Sequence, residues 1–355
     1  LSQYQRKECY PQFVVWERAL ACSMRCEHGG SAAGKPRADE LSLDEMYTVV
    51  DDLGKLGCER ITLLGGEPLI HPHWDKIALR ILEQGYRANT ITNGWTLHKP
   101  EVCDRIAEVE LTIVGISIDG MEASHDRLRK RPGSFQRIIQ GMDLLKERQV
   151  PVAASTVITN DSIEELEQMY ELLIEKDVKV WQFQVGNPLG RMDRDNPLII
   201  DPKRLPELFA FVEDVQKRDV DLRLDLSDNV GYYGEYEARG VRQKRPGTGA
   251  FWTGCHAGVR AMGLDSNGDV KGCQSLPSEA PYIAGNVRER PLAEIWADDD
   301  AFPYTRGWTA DTLGGYCAEC HYGRLCKAGC TSAALAHSGH VGDNPMCIHR
   351  VEQGR

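Results

Sequence analysis

From residue 13 to about residue 218, short apolar runs alternate with longer stretches in which apolar residues recur at helical spacing. The runs at 13–18, 60–64, 88–92, 112–118, 151–158 and 179–185 predict strands. Phe13-Val14-Val15-Trp16-Glu17 has the make-up of a buried first strand, and Arg60-Ile61-Thr62-Leu63-Leu64 that of a second. Strands alternating with helices predict βα repetition, six units in all. Several helix starts are legible. Ser42 reads as an N-cap with Glu45 as its capping-box partner and Leu41 and Met46 as a hydrophobic staple. Asp161 and Glu164 repeat the cap pattern, and Asp201-Pro202 places proline at the first helical position.

Beyond residue 218 the periodicity fades into Gly, Tyr and Arg, as in Gly231-Tyr232-Tyr233-Gly234 and Arg245-Pro246-Gly247-Thr248-Gly249. This stretch reads as a bridge. Farther on, Asp265-Ser266-Asn267-Gly268-Asp269 predicts a hairpin turn between Met262-Gly263-Leu264 and Val270-Lys271-Gly272-Cys273. The expected division is 1–218, 219–250 and 251–355. A chain of 355 residues that is 41% hydrophobic suits this layout, a domain of about 200 residues and a smaller one. A net charge of −11 disfavours nonspecific nucleic-acid binding, and no run approaches the roughly 18 apolar residues of a membrane span. A soluble, cytoplasmic protein with no nucleic-acid or membrane partner is expected.

Cysteine usage changes the picture from a fold to a chemistry. Of twelve cysteines, seven lie in the last hundred residues or so: Cys255, Cys273, then Cys317-x2-Cys320-x5-Cys326-x3-Cys330, and Cys347. Thiolates at these separations can reach one small polynuclear centre, with a ligand from a distant stretch of chain. The odd number and the lack of a secretory signal disfavour a disulfide framework, and iron-sulfur clusters are favoured over structural zinc. Cys9, Cys58 and Cys103 read as ordinary buried thiols.

The first strand runs into Leu20-Ala21-Cys22-Ser23-Met24-Arg25-Cys26-Glu27-His28-Gly29-Gly30-Ser31. This resembles the Cys-x3-Cys-x2-Cys loop of radical S-adenosylmethionine (SAM) enzymes, whose three thiolates hold a 4Fe-4S cluster. Cys22, Cys26 and His28 match. The third position is Gly29, which has no side chain to ligate. Three accounts stay open: a cysteine-to-glycine change in an otherwise normal enzyme, a natural variant with a substitute ligand such as His28, and an inactive relative. The intact pattern around the gap favours the first.

Gly65-Gly66-Glu67-Pro68, after the second strand, resembles the family's Gly-Gly-Glu-Pro motif. The resemblance implies an open (β/α)6 partial TIM-type barrel with the site at the strands' C-terminal ends. Glycines there let backbone approach a ligand, and Glu67 could accept hydrogen bonds from the SAM ammonium. Asn93 after the third strand, Ser117 and Asp119 after the fourth, and Gln182 and Gln184 on the sixth are further SAM-contact candidates. Arg129 or Arg131 could reach the SAM carboxylate, because guanidinium suits it.

The spacing of the last seven cysteines, with Gly268 between the first two, resembles the SPASM domain. That resemblance implies a small iron-sulfur domain with two auxiliary 4Fe-4S clusters. The first would take Cys255, Cys273 and Cys330, with one ligand short and His256 a weak candidate for it; the second would take Cys317, Cys320, Cys326 and Cys347. The implied activity is a 5'-deoxyadenosyl radical reaction, favoured here as side-chain modification of a ribosomally made precursor peptide. An electron donor such as flavodoxin or ferredoxin is implied as well. About a dozen residues precede the first strand, so peptide recognition is expected from a separate protein or from the barrel. Sulfatase-type maturation is weakened because Gln274 follows Cys273 where those enzymes typically have Asp. Heme-precursor or small-molecule oxidation is a further alternative, and a noncatalytic iron-sulfur binding or electron-transfer protein is the alternative of another class.

Overall fold

The computed structural model describes residues 9–218, 220–241 and 252–355; the Arg245-to-Gly249 segment lies outside these. Ten strands form one sheet: β1 (Phe13–Glu17), β2 (Arg60–Leu64), β3 (Arg87–Thr92), β4 (Ile113–Ser117), β5 (Val152–Ile158), β6 (Val180–Val185), β7 (Arg223–Leu226), β8 (Ala261–Leu264), β9 (Asp269–Lys271) and β10 (Ile283–Asn286). Their order is β10-β9-β8-β1-β2-β3-β4-β5-β6-β7. All pairings from β8 to β7 are parallel, whereas β9 and β10 add on antiparallel. Parallel neighbours need long crossovers, and helices supply them: α1 (Leu43–Lys55), α2 (Trp74–Glu83), α3 (Pro100–Val109), α4 (Glu122–Arg129), α5 (Ser134–Glu147), α6 (Leu166–Glu175) and α7 (Leu205–Val215). The result is the mixed α/β parallel sheet of a partial barrel, followed by a small cysteine-rich domain.

Side-chain alternation explains which face does what. On β5, Val152, Ala154, Thr156 and Ile158 are buried while Ala153, Ser155 and Val157 are half-buried. On β6, Trp181, Phe183 and Val185 alternate with Val180, Gln182 and Gln184 in the same way. The apolar members of the buried set join one core cluster with residues of α1 to α3 and α5 to α7. The other face is polar and cross-linked. Gln184 Nε2 donates to Ser155 Oγ (3.4 Å) and Gln182 Oε1 (2.9 Å), and Gln182 Nε2 donates to Asp225 Oδ2 (3.0 Å).

The N-terminus of α1 bears out its expected cap: Ser42 Oγ accepts from the Glu45 amide, Glu45 Oε2 accepts from the Ser42 amide, and Leu41 and Met46 are both buried. Asp201 also caps as expected, accepting from the Lys203 amide over the turn Pro202–Arg204 that leads into α7. The Asp161 cap fails. Asp161 is helical in backbone and makes no side-chain cap bond; it pairs with Arg127 instead, while Thr159 and Ser162 bond each other's amides. The stretch 219–250 is more than a bridge, since it contains β7, which extends the sheet beside β6. Four residues, Arg-Leu-Asp-Leu, are too few to show a period. The sheet also continues out of the barrel, because β8 pairs with β1 in the register Phe13↔Ala261.

Candidate active site

The loop after β1 and the loop after β2 are fitted backbone to backbone. The Gly66 amide donates to the Ala19 carbonyl (2.7 Å) and the Glu67 amide to the Ala21 carbonyl (2.8 Å). Gly65 has φ +149°, and a Cβ on either glycine would strike a carbonyl of residues 19 to 21. The close approach that requires glycine is therefore to the Cys22 loop of the chain itself. Pro68 continues the same seam through its carbonyl, which accepts from Arg18 Nη2 (2.5 Å).

Glu67 is buried, and its carboxylate is largely committed. Oε1 accepts from the Leu69 amide (3.0 Å) and Thr92 Oγ1 (2.7 Å), and Oε2 accepts from the Asn93 amide (2.7 Å). Burial nevertheless raises its pKa. Its visible work is to tie the ends of β2 and β3 together, leaving at most one lone-pair direction for a ligand. Asn93, from the β3 end, reaches the Cys22 sulfur at 3.7 Å and Ser23 Oγ at 3.3 Å through Nδ2. Burial pushes the Cys22 thiol up.

The end of β4 supplies the other half of the shell. Ser117 is half-buried and in register with Ser155, on the polar face. Asp119 and Arg129, expected to reach SAM, are turned on each other: Arg129 Nε donates to Asp119 Oδ2 at 2.6 Å, and Nη1 lies 3.8 Å from the Cys26 sulfur. Burial pushes Asp119 up, but Arg129, with His28 and His125, outweighs it and holds the carboxyl below its ordinary value. Arg131, the alternative cation, lies 4.0 Å from the Trp95 ring centroid. Arg191, after β6, was not anticipated. Its Nε donates to the Cys26 carbonyl (2.8 Å) and its Nη1 to that of Ala33 (2.9 Å).

All twelve cysteines are free thiols. Cys317, Cys320, Cys326 and Cys347 line one pocket with roughly 320 Å³ of empty space, its open mouth included; Tyr232, Tyr233, Tyr316, Tyr322 and His349 are in its wall. Burial pushes Cys317 up to about 12 and raises Cys326 and Cys347 as well. Four thiols around one pocket can hold a polynuclear iron centre, whose charge would offset that cost. Cys255 and Cys330 share a hydrogen bond that lowers the first and raises the second, and Cys273 lies close enough to feel Cys255. Thr331 and Ser275 hydroxyls bond Cys255 and Cys273. Tyr232, in the stretch read as a bridge, joins the two sets: its hydroxyl donates to the Asp228 carbonyl and accepts from the Cys330 amide (2.8 Å), while its carbonyl accepts from Cys347 Sγ (3.6 Å). His256 stacks on Trp252, with ring centroids 5.6 Å apart. Cys58 and Cys103 are buried as expected, but Cys9 is only half-buried.

Comparison with known proteins agrees with this geometry. Residues 16–173 match the radical SAM superfamily, and residues 255–321 match SPASM, an iron-sulfur cluster-binding domain. The chain is 30% identical over 350 residues to an AdoMet-dependent heme synthase of Methanosarcina barkeri, covering 96% of this chain and 97% of that protein. It is 26% identical over 361 residues to an Fe-coproporphyrin III synthase of the same organism, covering 96% and 88%. Streptococcus suis SuiB, solved bound to its precursor peptide SuiA, shares the fold with a TM-score of 0.75 at 17% identity, covering 98% of this chain and 78% of that one. The chain belongs to the radical SAM superfamily and carries a SPASM domain. SAM and 4Fe-4S clusters are the cofactors of this domain pair. Among the described residues, no helix is long and apolar enough to cross a membrane.

Proposed function

We propose that this protein is a radical SAM oxidoreductase acting on a tetrapyrrole, most similar in task to heme synthesis. The observation that carries the reading is identity of 30% to an AdoMet-dependent heme synthase across nearly the full length of both chains. The second similarity, to an Fe-coproporphyrin III synthase, is also tetrapyrrole-named and also spans both domains. The loops after β1 and β6 carry Arg25 and Arg194, side chains of a kind suited to the carboxylates of a porphyrin. Cys255, Cys273 and Cys330 would hold one auxiliary cluster and Cys317, Cys320, Cys326 and Cys347 the other. When bound, such centres supply one-electron chemistry beside the reacting substrate. The chain's own part is to position the substrate over the polar face of β4 to β7 and to keep water from the seam around Cys22 and Cys26.

A precursor-peptide substrate is the second reading, favoured by the fold shared with peptide-bound SuiB. The two are separated by anaerobic incubation of the reconstituted protein with SAM, a reductant and Fe-coproporphyrin III. Mass spectrometric loss of the porphyrin, in step with 5'-deoxyadenosine, supports the tetrapyrrole reading. An unchanged porphyrin beside 5'-deoxyadenosine formation with a candidate peptide would overturn it.

A further inference from the structure

Gly29 leaves the N-terminal loop with two thiols where the family uses three. The space a Cβ would take at position 29 is filled by Arg191 Nη2. Arg191 is fixed by its bonds to the Cys26 and Ala33 carbonyls, and its amide donates to the Gly29 carbonyl (3.2 Å). A guanidinium offers no lone pair, so Arg191 fills the volume without replacing the ligand. The residues present do not fit a cluster held by three cysteines.

His28 presents the complementary deficit. Its side chain is 9% exposed, Nε2 lies 3.5 Å from Asp119 Oδ2, and Nδ1 is buried with no hydrogen-bond partner. A carboxylate on one ring nitrogen keeps the proton there and leaves the lone pair on the other, the arrangement around metal-bound histidine. An unmet buried acceptor is costly, and a metal bond would satisfy it. Asp119 is joined in turn to Cys26 through Arg129, at 2.6 Å and 3.8 Å, so imidazole and thiol are steadied by the same ion pair. Among the described residues, no three His, Cys, Asp or Glu side chains converge as around a single ion.

We propose that His28, through Nδ1, is the third protein ligand of an iron-sulfur cluster otherwise held by Cys22 and Cys26. The inference rests on the cluster-binding reading of this loop. Its test is pulsed electron paramagnetic resonance on the full-length protein, reconstituted anaerobically and reduced without SAM, together with iron analysis. The wild type is expected to show a strongly coupled imidazole nitrogen and iron for three clusters. His28→Phe is expected to lose that signal and about a third of the iron. The double variant Gly29→Cys with His28→Phe is expected to regain the iron without the nitrogen signal, which also shows that His28→Phe folds. Full iron in the wild type with no coupled nitrogen, or unchanged iron in His28→Phe, would overturn the proposal. Iron for a third cluster in Gly29→Cys but not in the wild type would overturn it while leaving the loop's cluster-binding reading intact; a third cluster in neither would remove both.

Discussion

The two ends of the chain solve the same problem with opposite economies. The C-terminal domain gathers four thiols around one pocket and walls it largely with aromatic rings. The Cys22 loop has two thiols but an elaborate polar surround: Asn93 on Cys22, Arg129 on Cys26, Asp119 between Arg129 and His28, and Glu67 tying β2 to β3. The lesson is that a ligand and its support are separable. The support around Cys22 and Cys26 is in place although the residue at position 29 has no side chain, and it includes a histidine whose Nδ1 is buried without a hydrogen-bond partner.

The sharpest break of this comparison is expected at the ligand-rich end. Cys326→Ser removes one of four pocket thiols and is expected to release about a third of the bound iron and to lower the melting temperature of the holoprotein; unchanged iron would mean the pocket is not a cluster site. At the ligand-poor end the support matters most. Asp119→Ala leaves Arg129 buried without its partner and is expected to cost about 3–5 kcal/mol in denaturant unfolding.

Acid sharpens the same contrast. Burial holds His125 and His337 down to about 4, against an ordinary value of 6.5. Between those values the unfolded chain binds more protons than the folded one, so stability is full above roughly pH 6.5 and falls as pH drops toward 4. The loss is up to about 3 kcal/mol per imidazole, read from unfolding curves of the apoprotein across that window. The smallest effect is expected from Tyr232→Phe, which leaves the Cys330 amide without the hydroxyl it donates to. A loss of about 1–3 kcal/mol follows, with a shifted auxiliary reduction potential as the specific sign that both thiol sets feel this residue.

Much of this was legible in the chain. β2 was read to the residue, and β1 and β3 to β6 within one residue at either end, because each is a short apolar run bounded by turn residues. The hairpin of β8 and β9 followed from Asn267-Gly268. The cysteine spacing located the thiol sets because ligands on one loop must lie close in sequence. What escaped reading depends on contacts between distant segments. β7 is too short to show a period, Tyr232 acts across about a hundred residues, and Arg191 meets the Cys26 carbonyl from 165 positions away. Asp119 and Arg129 were each placed at the site, but local sequence could not show that they would satisfy each other. Glu67 was singled out for a ligand, whereas three of its acceptor directions hold the scaffold together.

The most direct test of the account is 5'-deoxyadenosine formation from SAM under anaerobic reduction, comparing the wild type, Gly29→Cys and Cys22→Ala after cluster reconstitution. The account predicts product from the wild type, faster formation by Gly29→Cys, and none from Cys22→Ala. No product from either the wild type or Gly29→Cys would contradict it, and would leave an iron-sulfur binding or electron-transfer role as the function of this chain.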